Sequence, residues 1–242
     1  LEHVAAALAM ETMRPVKLVF NRREDIVSTR NRHAMIIDVK TGVMNDGAIV
    51  AQDFHVTCNA GAYATGTSNI VWAMCGKAFK VHKNPNIRFV GDAVLTNTSI
   101  GGPMRGFGSP QMMFPQQRQM NRIARDLGMD MIDLQRKNLV EPDGVDQRFN
   151  APHGNPRPLD CLERGAKLFG YEAAVQEAKA FNASAGRYRL GVGLGVGAHG
   201  NGMYGVKADL TAIIIKMNED GSVIMYTGTH EMGTCAVTTQ AQ

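Results

Sequence analysis

Thr96-Asn97-Thr98-Ser99-Ile100-Gly101-Gly102-Pro103-Met104-Arg105-Gly106-Phe107-Gly108-Ser109-Pro110-Gln111 sets four glycines around one arginine and one phenylalanine. The run before it, Asn86 to Leu95, has strand character, and the run after it, Met112 to Leu127, has helical periodicity. A strand–loop–helix joint this rich in glycine can turn sharply, approach a ligand closely and aim backbone N–H and C=O groups at it. Arg105 then supplies a fixed cation and Phe107 a flat surface for a ring. The same residues also suit a tight turn in which Arg105 caps the carbonyls of a neighbouring helix. The residues alone favour neither reading.

Working outward, Leu1 to Thr12 reads as a helix, rich in alanine, that Arg14-Pro15 stops. Val16 to Phe20 reads as a short buried strand, and Asn21 to Arg32 is polar. Ala34 to Met44 and Ala48 to Cys58 are β-branched runs around Asn45-Asp46-Gly47, residues that tolerate the positive φ of a hairpin turn. Asn59 to Lys80 is too rich in small residues to assign. Beyond the loop, Gly128 ends the helix and Asp130 caps a second one reaching about Asn138. Val140 to Pro158 lacks periodicity and reads as linker. Leu159 to Phe181 reads as a helix, Tyr188 to Val196 as a strand and Gly197 to Gly205 as a loop. A second hairpin joins Leu210–Met217 to Ser222–Thr227 through Asn218-Glu219-Asp220-Gly221. The expected organisation is α+β, with one domain over residues 1–140, a linker over 141–158 and a second domain over 159–242.

Composition bounds the function. The 242 residues are 44% hydrophobic and 20% charged, as in an ordinary globular protein. No apolar run approaches the roughly 18 residues that cross a bilayer, so no membrane partner is expected. The net charge is +4, but the basic residues are scattered, which argues against nucleic acid as a partner. Cys58, Cys75, Cys161 and Cys235 form no Cys-x-x-Cys pair. With no signal peptide in view, they are expected to be reduced thiols in the cytoplasm. A start without Met and an end inside a patterned segment suggest a chain cut at both ends. Gly193, Gly195 and Ala198 match G-x-G-x-x-A, but the residues after them are too glycine-rich to open a helix, so a dinucleotide site is not expected there. His33, His55, His82, His199 and His230 are dispersed without metal-ligand spacing and read as structural or surface residues.

The Arg105-Gly106-Phe107-Gly108 segment closely resembles that of the xanthine dehydrogenase and aldehyde oxidase family, whose large subunits bind a molybdopterin cofactor. Arg14-Pro15-Val16-Lys17 through Arg32-His33 is similar to the family's "RPV…R-ED…R-H" stretch. Leu127-Gly128-Met129-Asp130 through Arg136-Lys137-Asn138-Leu139 is similar to its "LGMDP…RxKNL" helix. Asp220-Gly221-Ser222-Val223 through Glu231-Met232-Gly233 resembles its "DGSV…TG…EMGQG" segment. The resemblance therefore runs along nearly the whole chain, in order.

It implies mixed-sheet molybdopterin-binding domains present as a partial chain. It implies hydroxylation of a carbon on an N-heteroaromatic ring (purine-like or nicotinate-like) or an aldehyde, with water as oxygen source. The cofactor would be molybdopterin, alone or as its cytosine dinucleotide, carrying molybdenum. A 2Fe-2S centre and FAD are expected on partner subunits or domains. Carried over by motif, Met104, Arg105, Gly106, Gly233 and Thr234 contact the cofactor, Arg105 lies beside the metal through its main chain, and Phe107 packs against the substrate ring. Thr234 and Cys235 depart from the family's Gln-Gly pair, and a hydroxyl has less reach than an amide. No catalytic residue is assigned, because the family's general-base glutamate has no counterpart here, and Glu231 is not that residue. The family's "GGGFGGK" stretch is also absent from these residues. The arginine that xanthine-oxidising members place ahead of the loop is missing too, and Trp72, Ala73 and Met74 suggest an apolar pocket instead. A non-catalytic cofactor-binding or assembly subunit on the same fold is the alternative.

Overall fold

A computed structural model describes residues 1–184, 186–200 and 210–242. Its centre is a mixed sheet of β1 (Met35–Val43), β2 (Ile49–Gly61) and β3 (Ile87–Leu95), with β2 in the middle. β1 and β2 are the antiparallel pair expected around Asn45-Asp46-Gly47, while β3 lies parallel to β2. A parallel neighbour requires a crossover, and α3 (Thr67–Ala78) supplies it from the small-residue stretch that the sequence left unassigned. Strand alternation turns Phe54, Val56, Cys58 and Ala60 of β2 inward, each almost fully buried. They meet Ile70, Val71, Met74 and Ala78 of α3 and Met112 and Met113 of α4 (Ser109–Leu127). The helix lies close: a Cβ on Gly91 of β3 would come within 2.2 Å of Val71 Cγ1.

Gly128 ends α4 in the left-handed region, and Asp130 caps α5 (Met131–Asn138) through Ile132 N at 2.7 Å, as read from sequence. Met120, Ile123 and Ala124 of α4, Leu134 of α5 and Ile49 of β2 form a second apolar cluster. Asn138 stitches it to the hairpin. Its Oδ1 accepts from Ile49 N, and its Nδ2 donates to the Gly47 and Leu134 carbonyls, all at 2.9 Å.

Elsewhere the structure departs from the sequence reading. Val16–Phe20 alternates in exposure as a strand would, but among the described residues no strand pairs with it. The polar stretch after it contains α2 (Arg22–Ser28), opened by a capping box between Asn21 and Glu24. α1 (Glu2–Thr12) forms as expected but buries nothing. The stretch read as linker carries a small hairpin of β4 (Val145–Asp146) and β5 (Ala151–Pro152). The single helix expected over 159–181 is two, α6 (Pro158–Phe169) and α7 (Tyr171–Asn182), because Gly170 adopts φ 71° and breaks the run. Tyr188–Val196 makes no ladder; the Val196 N–H is taken by a side chain, Gln117 Oε1 at 3.0 Å, instead of a strand. The loop expected over Gly197 to Gly205 is described only to Gly200. The second hairpin is present as β6 (Ile213–Met217) and β7 (Val223–Thr227), and a short α8 (Ala236–Ala241) comes after it. Among the described residues no helix is long and apolar enough to cross a membrane.

Replacing Asn138 with alanine strands the Ile49 N–H and the Gly47 C=O in a buried setting. The expected loss is about 2–4 kcal/mol of unfolding free energy, the usual range for orphaned buried groups plus lost hydrogen bonds. Urea unfolding of N138A measures it, and a loss under about 0.5 kcal/mol would mean that the hairpin and α5 hold together without the clamp.

Candidate active site

The loop from Gly101 to Gly108 rests on both sides of the sheet end. Gly101 N donates to Ala60 O at the end of β2, and Gly102 N donates to Asn31 O. His33 is buried beneath it; its ring lies where a Cβ on Gly101 would come within 2.5 Å of Cδ2, and its Nε2 pairs with Thr67 Oγ1 at 2.9 Å. Arg32 makes a fork, Nη2 to the Arg105 carbonyl at 3.0 Å and Nη1 to Gln111 Oε1 at 2.9 Å. The Arg-His pair at 32–33 is therefore the platform of the loop. Among the described residues Arg105 caps no helix; its main chain is the pinned part.

Gly106, Phe107 and Gly108 take φ of 86°, 43° and 91° in succession. Two glycines accept this freely, whereas Phe107 carries a strain of roughly 1–2 kcal/mol. Four contacts hold it: Phe107 N to Met104 O, Ser109 N to Gly106 O, Met112 N to Gly108 O, and the Lys77 ammonium donating to the Phe107 carbonyl. Gly108 also sits directly on α3, where a Cβ would meet Met74 Cγ at 2.7 Å and Ile70 O at 3.2 Å. Met74 belongs to the core under the loop, which corrects the expectation that it helps form an open apolar pocket; Trp72 and Ala73 do face the opening.

That opening is a cleft of about 800 Å³, within the size range of small-molecule sites. Met104, Arg105, Gly106 and Phe107 line one side, and Met232, Gly233 and Thr234, more than a hundred residues later, line another. All the residues that the motifs marked thus border one space. Lys77, Lys80, Arg148 and His199 border it too, and no Asp or Glu does among the described residues. Burial pushes the Lys77 ammonium down to about 8, helped by the charge of Lys80. Burial, then Lys77 and Lys80, lower His199, whose Nδ1 meets Ser109 Oγ at 2.8 Å. Arg148 lies over Phe149 and Phe79 and grips the fully buried Asp146, Nη2 to Oδ2 at 2.6 Å and Nε to Oδ1 at 3.0 Å.

Sequence reasoning missed these four. Lys77 comes one helical turn after Ala73, so assigning α3 would have found it. Arg148 and His199 arrive by tertiary folding and left no local signal. Glu231 spends its carboxylate on its own turn, accepting from Gly233 N at 2.6 Å and Cys235 N at 3.1 Å, which holds it below the usual carboxylate range. Among the described residues no three His, Cys, Asp or Glu side chains converge as metal ligands.

An anionic, flat, polar group suits this cleft. Its wall is cationic, it offers an aromatic face, and none of the described residues lies within 4 Å of where a Cβ on Gly233 would stand, so a ligand can approach that backbone.

The chain matches the molybdopterin cofactor-binding domain family over residues 1–139 and again over 164–242. It is 29% identical over 232 residues to a probable xanthine dehydrogenase subunit of Bacillus subtilis, covering 95% of this chain and 30% of that protein. A putative xanthine dehydrogenase molybdenum-binding subunit of Escherichia coli is 28% identical over 94% of this chain and 30% of its own length. Among solved structures, the aldehyde oxidoreductase from Desulfovibrio gigas superposes with a TM-score of 0.75 at 27% identity, over 93% of this chain and 24% of that one. The chain spans about 30% of the length of the curated relatives it matches.

Asp146→Asn leaves the half-buried Arg148 guanidinium poorly paired, with an expected cost of about 3 kcal/mol, the low end for breaking an ion pair with a buried member. Burial would raise the Asp146 carboxyl, but hydrogen bonds and charge from Arg148 outweigh it, so its value is lowered on folding. The ion pair therefore stabilises fully above about pH 4 and fades as pH falls through the lowered value. Unfolding curves of wild type and D146N should converge toward acid; a gap unchanged from neutral pH to about 3 would show that the ion pair is not its source.

Proposed function

This chain belongs to the molybdopterin cofactor-binding domain family, and on that premise we propose that it forms part of a molybdenum hydroxylase acting on a carbon of an N-heteroaromatic ring or an aldehyde. The observation that carries the proposal is the cationic cleft bordered by both glycine segments, at 103–107 and 232–234. When bound, the molybdenum–pterin group supplies the two-electron oxidation, with water as oxygen source.

The residues here bind and orient. Met104, Arg105 and Gly106 present backbone to the cofactor, and Arg32 keeps the Arg105 carbonyl from swinging away. Gly233 leaves room for close approach, and the Thr234 hydroxyl offers one hydrogen bond. Lys77, Lys80 and Arg105 make the cleft favourable to an anionic cofactor. Phe107, 39% exposed, offers its ring to the substrate, and Trp72 shields one side of the opening. In this reading residues 1–140 and 159–242 belong to successive cofactor-binding domains joined by 141–158. The general base, the 2Fe-2S centre and FAD belong to parts of the enzyme beyond these 242 residues.

A second reading has one specific support. Glu231 already occupies the Gly233 and Cys235 N–H groups, and Thr234 and Cys235 replace the family's Gln-Gly pair. A non-catalytic cofactor-binding or assembly subunit would tolerate both.

Metal and pterin analysis of the purified full-length protein separates the readings from failure of both. About one molybdenum and one pterin per chain, together with hydroxylation of a ring or aldehyde, is expected for the enzyme; cofactor without turnover indicates the assembly role. Hydroxylase activity in molybdenum-free protein would end the proposal. Phe107→Ala should raise KM for a ring substrate roughly tenfold, the worth of one aromatic contact, without changing molybdenum content.

A further inference from the structure

Lys77 is 6% exposed, yet its ammonium donates to a neutral carbonyl, that of Phe107. An ammonium has three donors, and a buried cation without a counter-charge is costly. The other cations of the cleft are placed differently. Arg148 is neutralised by Asp146, and the same carboxylate partly offsets the burial and the Arg148 charge that lower Lys80. Arg105 is exposed to solvent. Among the described residues no carboxylate acts on Lys77; only its own burial and the like charge of Lys80 do. Its Nζ also lies 5.6 Å from the centroid of the Phe107 ring. A substituent on a ring packed against Phe107 is therefore within reach of it.

We propose that the ring accepted at Phe107 carries an anionic substituent, a carboxylate, and that Lys77 selects it. This rests on the reading of Phe107 as the substrate contact. Carboxylate and ammonium would pair in a half-closed cleft, where a charge-assisted hydrogen bond is stronger than in water. A phosphate of the cofactor offers the same charge, and its position relative to Phe107 decides between the two sources. Among the described residues the charged groups facing Lys77 are Lys80 on the stretch after α3, Arg148 from the β4–β5 hairpin, His199 from the 194–200 segment and Arg105 from the loop. All but His199, which burial keeps neutral near pH 7, are cations, so the local field favours an anion.

The test uses the full-length holoprotein and two probes of equal shape, pyridine-3-carboxylate and pyridine-3-carboxamide, with dissociation constants from equilibrium dialysis. Wild type should prefer the carboxylate by about 10- to 100-fold, the range for one charge-assisted hydrogen bond. Lys77→Met should bring that ratio near one, and Lys77→Arg should keep most of it. Carboxylate binding should weaken as pH rises through about 8, where Lys77 loses its charge, while amide binding stays level. In K77R the slope should vanish, since arginine stays charged. A ratio unchanged in K77M, or both probes weakened equally, would overturn the proposal; the second result would make Lys77 a support for the Phe107 backbone alone. Molybdenum and pterin lost from K77M would overturn it too, assigning the anion to the cofactor. Protein without molybdenum that still prefers the carboxylate through Lys77 would support the subsite while removing the hydroxylase reading, so the two fail separately.

Discussion

Three consecutive residues with positive φ, Gly106, Phe107 and Gly108, are pressed against one helix, and the cleft depends on that contact. Gly108 touches α3 at Met74 and Ile70 with no space for a side chain. Lys77, one turn further along the same helix, takes the Phe107 carbonyl. The helix thus determines both the height of the loop and the direction of the Phe107 ring. α3 is in turn fixed by the central strand, through Phe54, Val56 and Cys58 below it and by its close approach to Gly91. A shift in the packing of α3 would be felt at once by the residues that border the cleft, because a close-packed interface transmits displacement rather than absorbing it.

Polar groups in the core connect the later part of the chain to this frame. Gln117 of α4 accepts from Gln135 of α5 and from the backbone of Val196, and Gln135 also meets the buried His82. Burial drives His82 down to about 4, so the network is neutral at physiological pH. Leu194, Val196 and Ala198 then pack onto the main core and bring His199 to Ser109 at the mouth of the cleft. The segment that would have been a strand by its apolar residues is instead tied down by side chains, Gln117 at the Val196 N–H and Asn182 at the Leu190 N–H and C=O, and by its own alternating contacts.

Charge around the cleft is sorted by sign. Among the described residues Asp146–Arg148 is the ion pair with a fully buried carboxylate; it keeps Arg148 against Phe79 and Phe149, and no described carboxylate borders the opening. Glu231, the nearest acid in sequence to the second glycine segment, is withdrawn into its own turn. The space is left with a cationic and aromatic surface, which is suited to a flat anion.

Much of this was legible in the residues. Apolar, β-branched runs marked β1 and β2 and strand character marked β3, Asn-Asp-Gly and Asp-Gly turns marked both hairpins, and Gly128 and Asp130 marked the joint between α4 and α5. These signals are local: a side chain on a two-residue or 3.6-residue period, or a turn that needs positive φ, is decided by its immediate neighbours. The loop at Gly101–Gly108 was legible for the same reason. Other features required a partner from far along the chain. Val16–Phe20 and Tyr188–Val196 have strand-like composition but no strand beside them among the described residues, and a strand is defined by its ladder. Lys77, Arg148 and His199 became neighbours of Phe107 only once α3, the β4–β5 hairpin and the 194–200 segment had packed together. The sequence by itself therefore determined the strands of the sheet, the turns and the glycine loop, whereas the tertiary structure alone decided the parallel pairing of β3 with β2 and which charges surround that loop, since strand pairing and Coulomb interactions depend on distance in space and not along the chain.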